Sequence, residues 1–268
     1  MSAATAPSLL VLIPAYNEEG RIGPVLAEYA EYLYRHYAGR ARIVVVLNGC
    51  WDDTLGIVRA AEQKYLSISH LEFPGKIGKG GALIEGLKLA PLADLVAYVD
   101  ADGATSPAAL LDLVAECQPG ETDCVVASRW LPGAKINHAQ PGKRQFASRL
   151  FHLFVEGFFW MGIRDTQCGA KVFRRSAVAE IFGEPFISRW IFDVEIYCRM
   201  GHARILEYPV KEWRDVPGSK VRIGREMFRV GGDLLRIRKV YGRAEGWRIS
   251  SSRSTVASSQ LKNTKPNA

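Results

Sequence analysis

Apolar runs alternate with amphipathic segments through the first half of the chain. Continuous apolar runs predict buried strands, and apolar positions three and four apart predict helices. The predicted strands are residues 9–13, 42–47, 68–73, 94–99 and 123–128. The predicted helices are residues 18–37, 54–65, 81–89 and one that begins at Ser106 and Pro107. This alternation favours an α/β protein with a mostly parallel central sheet flanked by helices.

The second half of the chain has a less regular pattern. It predicts a helix at residues 143–161, a loop and short strand at 165–174, and a helix at 187–200. A strand at 204–210 and an amphipathic basic helix at 221–240 follow. We expect one domain over residues 9–240, a flexible N-terminus at 1–8 and a disordered tail at 250–268, because the tail is rich in Ser, Thr, Asn and Lys.

A polar segment follows each of the five predicted strands. These segments begin at Pro14, Asn48, Pro74, Asp100 and Ser128. Because the carboxyl ends of parallel strands meet at one edge of the sheet, where α/β proteins bind ligands, we expect the segments to share one site.

Asp100 and Asp102 directly follow the fourth predicted strand. Two carboxylates this close repel each other unless a cation lies between them. A Mg²⁺ or Mn²⁺ ion that also binds waters and diphosphate oxygens would satisfy both. The pair therefore points to an enzyme that handles a nucleoside-diphosphate compound, although a solvated loop can also carry this pattern.

The Gly/Lys-rich segment at residues 74–81 does not have the spacing of a Walker loop, because Phe73 stands where the first glycine is required and Gly80 replaces the Ser or Thr. It fits a basic loop at a helix N-terminus, where Lys79 can approach a diphosphate. A turn with solvated lysines is the alternative.

Asp193 lies in an otherwise apolar helix start, where a carboxylate is costly to bury unless it is used or paired. An exposed position on the helix is the alternative. The sequence shows no base beside Cys168 that could activate it as a nucleophile, and the five cysteines form no C-x-x-C pair. This pattern fits a reducing compartment and suggests neither a disulfide framework nor a zinc site.

The net charge is +7, and basic residues are concentrated at positions 211–248. Such a region can bind nucleic acid, anionic lipid or phosphorylated substrates. No nucleic-acid recognition motif accompanies it, so we expect no nucleic-acid partner. The chain shows neither a secretory signal nor an apolar run of roughly 18 residues, which favours a cytoplasmic protein without a spanning helix.

The order of the polar motifs resembles the family-2 inverting glycosyltransferases of the GT-A fold, closest to the dolichyl-phosphate glucosyltransferase and dolichyl-phosphate mannose synthase group. The resemblance covers about residues 8–240. The motifs that carry it are Pro14-Ala-Tyr-Asn-Glu18, Lys79-Gly-Gly-Ala, Asp100-Ala-Asp-Gly-Ala-Thr105, Ser128-Arg129, Asp165-Thr-Gln-Cys-Gly169, Arg189-Trp-Ile-Phe-Asp-Val-Glu195 and Gly218-Ser-Lys220.

This resemblance implies transfer of a hexose from UDP-glucose or GDP-mannose to a polyprenyl phosphate, with inversion. It implies a nucleotide-binding half at residues 9–128 and an acceptor half at 129–240. The residues implied to bind the donor are Pro14, Tyr16, Glu18, Asn48, Lys79, Asp100 and Asp102, the last two also ligating Mg²⁺ or Mn²⁺. The residues implied to act on the acceptor side are Arg129 and Arg144, which would grip the acceptor phosphate, the late carboxylate Asp193, and Lys220 in a basic loop.

Two points remain open within this hypothesis. Asn48 stands where the family usually has Asp-Asp-Gly-Ser, so the contact with the base would come from an amide. A phosphate acceptor is already anionic and needs positioning more than a base, whereas a sugar hydroxyl would need a base, for which Asp193 is the candidate.

A lipid acceptor also gives the basic helix a purpose at an anionic membrane surface. Aromatic residues between positions 151 and 160 can add an interfacial anchor or pack in the core. We therefore expect a cytoplasmic enzyme peripherally associated with membrane. The alternatives are a glycosyltransferase with a soluble or saccharide acceptor and a non-catalytic module that binds lipid or nucleic acid.

Overall fold

A computed structural model of the protein describes residues 6–137, 142–182, 184–188, 191–201, 204–214, 226–242 and 248–251. The strands in these residues are β1 (Leu9–Ala15), β2 (Ala41–Asn48), β3 (Ile68–Phe73), β4 (Leu95–Tyr98), β5 (Cys124–Ser128), β6 (Ile136–Asn137), β7 (Lys171–Arg174), β8 (Arg204–Pro209), β9 (Trp213–Arg214) and β10 (Arg248–Ser251). The α-helices are α1 (Ile22–His36), α2 (Thr54–Lys64), α3 (Gly78–Leu87), α4 (Pro107–Glu116), α5 (Gly142–Phe159), α6 (Arg175–Phe182), α7 (Phe192–Met200) and α8 (Glu226–Tyr241).

Eight strands form one sheet in the order β10-β8-β5-β7-β4-β1-β2-β3. All neighbours are parallel except β7, which runs antiparallel to both β4 and β5. Leu9 at the start of β1 pairs with Ala41 on one side and Leu95 on the other, so the central strands end at the same edge. The predicted α/β class and mostly parallel sheet are confirmed.

Both faces of the sheet are covered, which explains the unbroken apolar strands. In β1, Val11 and Ile13 pack into the core that contains α1 and α4, while Leu10 and Leu12 pack into the core that contains α3 and α7. Each fully buried Leu or Ile contributes about 1.5–3 kcal/mol, so alternating residues of one strand stabilise two layers at once.

Helix α7 begins at Phe192, later than the predicted start at residue 187. The backbone N–H groups of Ile187 and Ser188 donate to the carboxylate of Glu195 at 2.8 and 3.3 Å, and that of Ile191 donates to the Ser188 hydroxyl. These donors are satisfied by side chains, so the segment before Phe192 has no need of a helical turn.

The C-terminal amphipathic helix is confirmed as α8. It buries Leu234 and Ile237 and exposes Arg236 and Lys239. Strand β10 reaches Ser251, two residues into the segment expected to be disordered, while residues 1–5, 221–225 and 252–268 lie outside the described ranges. Within the described ranges, none of the helices combines the length and apolar character needed to span a membrane.

Candidate active site

The acidic turn after β4 lies at the carboxyl edge of the sheet. Asp102 Oδ1 accepts a hydrogen bond from the Ala104 N–H at 3.0 Å, and Gly103 supplies the positive φ of 73° that this turn needs. Gly169 lies against Asp100, because a Cβ atom at position 169 would overlap the Asp100 carboxylate. The two predicted carboxylates therefore share one turn, with backbone packed closely beside it.

Lys79, in the first turn of α3, faces this acidic turn. Its Nζ lies 2.5 Å from Asp100 Oδ1 and 5.8 Å from the centroid of the Phe192 ring. Burial lowers the pKa of Lys79, but attraction to Asp100 and Asp193 raises it by more, so the pKa lies above its usual value. Lys79 is thus a fixed cation at the place where the sequence predicted a diphosphate contact.

Burial, followed by the repulsion of Asp100, raises the pKa of Asp102 above its usual range. A nearby cation would stabilise the charged form of a carboxylate in this position. Among the described residues, no group of three or more His, Cys, Asp or Glu side chains is arranged to hold a metal ion. Mg²⁺ commonly takes only one or two protein carboxylates and completes its shell with waters and phosphates, so Asp100 and Asp102 fit such an ion.

Asn48 shapes the Gly/Lys loop before α3. Its buried side-chain oxygen accepts from the N–H groups of Ile77 and Gly78 at 2.6 and 3.0 Å. Next to it, Gly49 has a φ of 64°, and a Cβ there would lie 2.8 Å from the Lys76 nitrogen. Asn48 thus holds the loop that presents Lys79, and its contact with a base stays a prediction.

The loop after β1 meets the loop after β2 at the same edge. Pro14 is part of β1, and the ring of Tyr16 lies 4.3 Å from the Lys76 ammonium. The Glu18 N–H donates to Thr54 Oγ1 at 2.8 Å. The predicted donor-side residues are therefore brought together at one edge. A cavity of about 140 Å³ lies beside them at the ends of β2 and β3, lined by Leu47, Cys50, Trp51, Asp52, Leu55, Glu72, Phe73 and Pro74.

Asp193 is buried and paired. Its Oδ1 accepts from Lys171 Nζ at 2.7 Å and from the Tyr98 hydroxyl, while Lys171 also donates to the Cys168 carbonyl at 2.8 Å. Both members of the ion pair are removed from solvent. The alternative prediction, that Asp193 lies exposed on the surface of the helix, is therefore wrong. The sequence analysis did not identify Lys171. The feature that indicates it is a lysine at the start of the buried strand that follows Ala170.

Arg129 is committed to a partner within the protein. Its Nε and Nη2 donate to the two carboxylate oxygens of Asp165 at 2.7 and 2.8 Å, and its backbone N–H donates to the same carboxylate. The guanidinium also stacks on Trp213 at 5.1 Å. Burial opposes its charge, but these hydrogen bonds raise the pKa of Arg129. Arg129 thus stabilises the loop that carries Asp165, and contact with an acceptor phosphate stays a prediction.

Strand β9 anchors the chain beside the acidic turn. The Arg214 N–H donates to the Ala104 carbonyl at 2.8 Å, and its guanidinium makes two hydrogen bonds to Glu28 at 2.9 and 3.0 Å. The next residues, including Lys220, lie outside the described ranges. Arg144 belongs to α5, but its side chain is outside the described part as well.

A mostly parallel sheet with an acidic turn and a lysine at its carboxyl edge is the arrangement of a GT-A glycosyltransferase, and the comparisons with known proteins agree. The sequence profile described as "Glycosyl transferase family 2" matches residues 10–182. More than half of the chain is matched, and the chain belongs to this family.

Two relatives and one solved structure illustrate the similarity. Dolichyl-phosphate beta-glucosyltransferase ALG5C of Trichomonas vaginalis is 34% identical over 258 residues, covering 92% of this chain and 75% of that protein. Dolichyl-phosphate beta-glucosyltransferase of Saccharomyces cerevisiae is 31% identical over 254 residues, covering 87% and 75%. Glucosyl-3-phosphoglycerate synthase from Mycobacterium tuberculosis, crystallised with Mn²⁺, UDP-glucose and phosphoglyceric acid, has a TM-score of 0.63 at 18% identity, covering 86% and 79%. The last likeness concerns the fold.

Replacing Gly169 with alanine tests the close packing around Asp100. The added methyl group would overlap the carboxylate and displace it, so we expect Mn²⁺ affinity to fall at least about tenfold, or 1.4 kcal/mol. Electron paramagnetic resonance of free Mn²⁺ measures this directly. Gly157→Ala is the matched control, because a Cβ there meets nothing within 4 Å. Equal Mn²⁺ affinity in both variants would show that the packing at Gly169 does not set the position of Asp100.

Proposed function

We propose that this protein transfers glucose from a nucleoside-diphosphate sugar to a polyprenyl phosphate, with inversion at the anomeric carbon. The observation that carries the proposal is the Asp100–Asp102 turn held against Lys79 at the carboxyl edge of the sheet. Glucose and a dolichyl-type acceptor are supported by the names of the relatives at 31–34% identity.

On the donor side, Asp100 and Asp102 would hold Mg²⁺ or Mn²⁺, which when bound stabilises the negative charge of the departing diphosphate. Lys79 adds a fixed positive charge beside them. Tyr16 and Glu18 border the site from the loop after β1. The cavity at the ends of β2 and β3 offers the exposed Trp51 ring and the Glu72 carboxylate to a nucleobase. The cavity supports a contact with the nucleobase in addition to the one predicted for Asn48.

The state of Asp193 favours a phosphate acceptor over a hydroxyl acceptor. Its Oδ1 is taken by Lys171 and Tyr98, and the residue is only 4% exposed. A general base must reach the proton that it removes, and this carboxylate is turned into the protein. An acceptor phosphate arrives ionised, so positive charge and positioning are sufficient.

The positive charges proposed for this acceptor are those that the resemblance implies, namely Arg129, Arg144 and Lys220. Arg129 lies in the loop after β5, and Arg144 lies in α5. Lys220 lies between β9 and α8, and β9 is tied to the acidic turn through the bond from Arg214 to Ala104. Lys220 follows this anchor by six residues along the chain.

Helices α5 and α8 present exposed large apolar side chains, which supports peripheral attachment to a membrane. These are Leu153 and Phe154 in α5, Trp160 directly after it, and Leu235 and Val240 in α8, each 51–65% exposed. The two helices pack together, and Arg238 donates to the Phe158 carbonyl. Exposed Arg236 and Lys239 lie among them. Apolar and aromatic groups mixed with cations are typical of helices at an anionic membrane surface.

A donor and acceptor screen tests the activity. Purified protein is incubated with UDP-glucose, GDP-mannose and further sugar nucleotides, with Mn²⁺ and either polyprenyl phosphate or a soluble saccharide. Release of nucleoside diphosphate is measured. We expect release that depends on polyprenyl phosphate and is strongest with a glucose donor. Release that requires the saccharide instead would favour the hydroxyl-acceptor enzyme, and no release with any pair would favour the binding module.

Membrane attachment has its own test. The triple variant Leu153→Ser, Phe154→Ser, Trp160→Ser is expected to reduce flotation with vesicles that contain anionic lipid by at least about tenfold, since it removes three exposed apolar groups. Salt should weaken flotation of the wild type. Tyr34→Ser is the control, because this side chain is 91% exposed on α1. Equal flotation of the triple variant and the control would contradict attachment through α5.

A further inference from the structure

Lys171 is a fully buried lysine whose role goes beyond the donor and acceptor residues considered so far. Its ammonium lies 5.2 Å from the Tyr98 ring and 5.5 Å from the Tyr197 ring. It makes hydrogen bonds to Asp193 Oδ1 and to the Cys168 carbonyl, at 2.7 and 2.8 Å. A buried ammonium is retained only when it is paired and hydrogen-bonded, so these contacts hold Lys171 in place.

The charges around this lysine form one cluster. Tyr98 lies near both ammonium groups, with Lys79 Nζ 5.9 Å and Lys171 Nζ 5.2 Å from its ring centroid. The Tyr98 hydroxyl donates to Asp193, and Lys79 pairs with Asp100. Lys79 Nζ also lies 5.8 Å from the ring centroid of Phe192, the residue directly before Asp193 at the start of α7. Lys79 is therefore attracted to two carboxylates, only one of which belongs to the acidic turn.

We infer that Lys171 is a positioning residue for sugar-nucleotide binding, because by neutralising Asp193 it leaves Lys79 facing Asp100 and the donor diphosphate. Asp193 is only 4% exposed, and attraction between charges is stronger in the protein interior than in bulk water. Without Lys171, the unpaired Asp193 would draw Lys79 away from the acidic turn.

A second contact works in the same direction. The bond from Lys171 to the Cys168 carbonyl fixes the backbone directly before Gly169, which packs against Asp100. Lys171 thus connects the start of α7 with the backbone beside the acidic turn. The inference rests on the proposed function, since it concerns the donor of that reaction.

The test is a charge rescue measured by donor binding. Lys171→Met removes the ammonium and keeps an unbranched chain. We expect the affinity for UDP-glucose, measured by calorimetry with Mn²⁺, to fall at least about tenfold. The double variant Lys171→Met, Asp193→Asn leaves no carboxylate to compete for Lys79. We expect it to bind the donor within about threefold of the wild type, which loss of packing alone would not allow.

A matched control exists on the same helix. Arg199 and Glu195 in α7 form a second buried ion pair at 2.7 Å. Arg199→Met is expected to lower the melting temperature without changing donor affinity. Thermal unfolding is recorded for each variant, and if Lys171→Met does not fold, the double variant decides alone.

Two results would overturn the inference. One is wild-type donor affinity in the single variant. The other is a folded double variant that binds at least about tenfold more weakly than the wild type. Failure of the wild type to bind any sugar nucleotide would instead refute the proposed function, so the two failures are distinguishable.

Discussion

Asp102→Asn is expected to lower turnover at least about hundredfold while the protein remains folded. Asparagine keeps an oxygen that can accept from the Ala104 N–H, so the turn is preserved. It removes the negative charge that would hold the divalent ion, and such an ion contributes several kcal/mol to stabilisation of the leaving group. Turnover is measured with Mn²⁺ and polyprenyl phosphate.

The same variant has a defined effect on stability. Burial and the repulsion of Asp100 raise the pKa of Asp102. A carboxyl group whose pKa is higher in the folded state lowers stability at every pH above that value. We therefore expect the melting temperature of Asp102→Asn at neutral pH to equal or exceed that of the wild type. The difference should shrink as the pH falls through the raised pKa, because the wild-type carboxyl then becomes protonated.

Asp112→Asn is the matched control for both measurements. Burial also raises the pKa of Asp112, but this residue lies in α4 and outside the candidate site. We expect it to keep turnover and to show a similar direction of change in stability. Near-normal turnover in Asp102→Asn would remove its role in metal binding.

Arg129→Met is expected to lower the free energy of unfolding by about 3–5 kcal/mol, since it leaves the carboxylate of Asp165 buried without its partner. The Asp165 side chain is only 1% exposed. The double variant Arg129→Met, Asp165→Asn should recover part of the loss, because the uncompensated charge is gone. Denaturant unfolding measures both differences.

Arg175→Met is the control for this ion pair. Arg175 pairs with Asp94 at 3.4 Å, with about half of each side chain exposed, and an exposed pair contributes about 0–1 kcal/mol. If Arg129→Met unfolded like the wild type but raised the KM for polyprenyl phosphate, the arginine would be an acceptor ligand rather than a structural residue.

Local pattern predicted much of the sheet and one part of the site. Five strands in the first half were located because apolar runs fill both faces of a covered sheet. Asp100 and Asp102 were predicted to lie at the carboxyl edge of the sheet because they directly follow a buried strand, and their binding of a cation stays a prediction. These patterns involve only residues that are close together in the sequence, so a single sequence is sufficient to recognise them.

Contacts between distant residues could not be predicted in the same way. The insertion of β7 between β4 and β5 determines that Lys171 meets Asp193, and no periodicity states this order. The sequence indicated that a buried Asp193 needs a partner but could not name Lys171. In the same way, the sequence did not indicate that Arg129 pairs with Asp165, which lies 36 residues away, and its contact with an acceptor phosphate stays a prediction.

Position Thr54 shows a smaller difference of the same kind. A threonine at the start of the helix predicted at residues 54–65 is typical of an N-cap, but Thr54 is the first residue of α2 and Asp53 precedes it as the cap. The Thr54 hydroxyl accepts from the Glu18 N–H at 2.8 Å and donates to Asp52 at 2.5 Å. A residue with a local capping pattern thus connects two loops of the site.

In the proposed reaction, the acidic turn and Lys79 stabilise the departing diphosphate while the sugar is transferred to a lipid phosphate. The most direct measurement follows radiolabelled glucose from UDP-glucose into organic-extractable polyprenyl phosphate while Mg²⁺ is titrated, in the wild type and in Asp102→Asn. We expect labelled lipid that rises with Mg²⁺ in the wild type and is lost in the variant. Equal labelling of lipid by both proteins, or labelling that does not depend on Mg²⁺, would contradict the account.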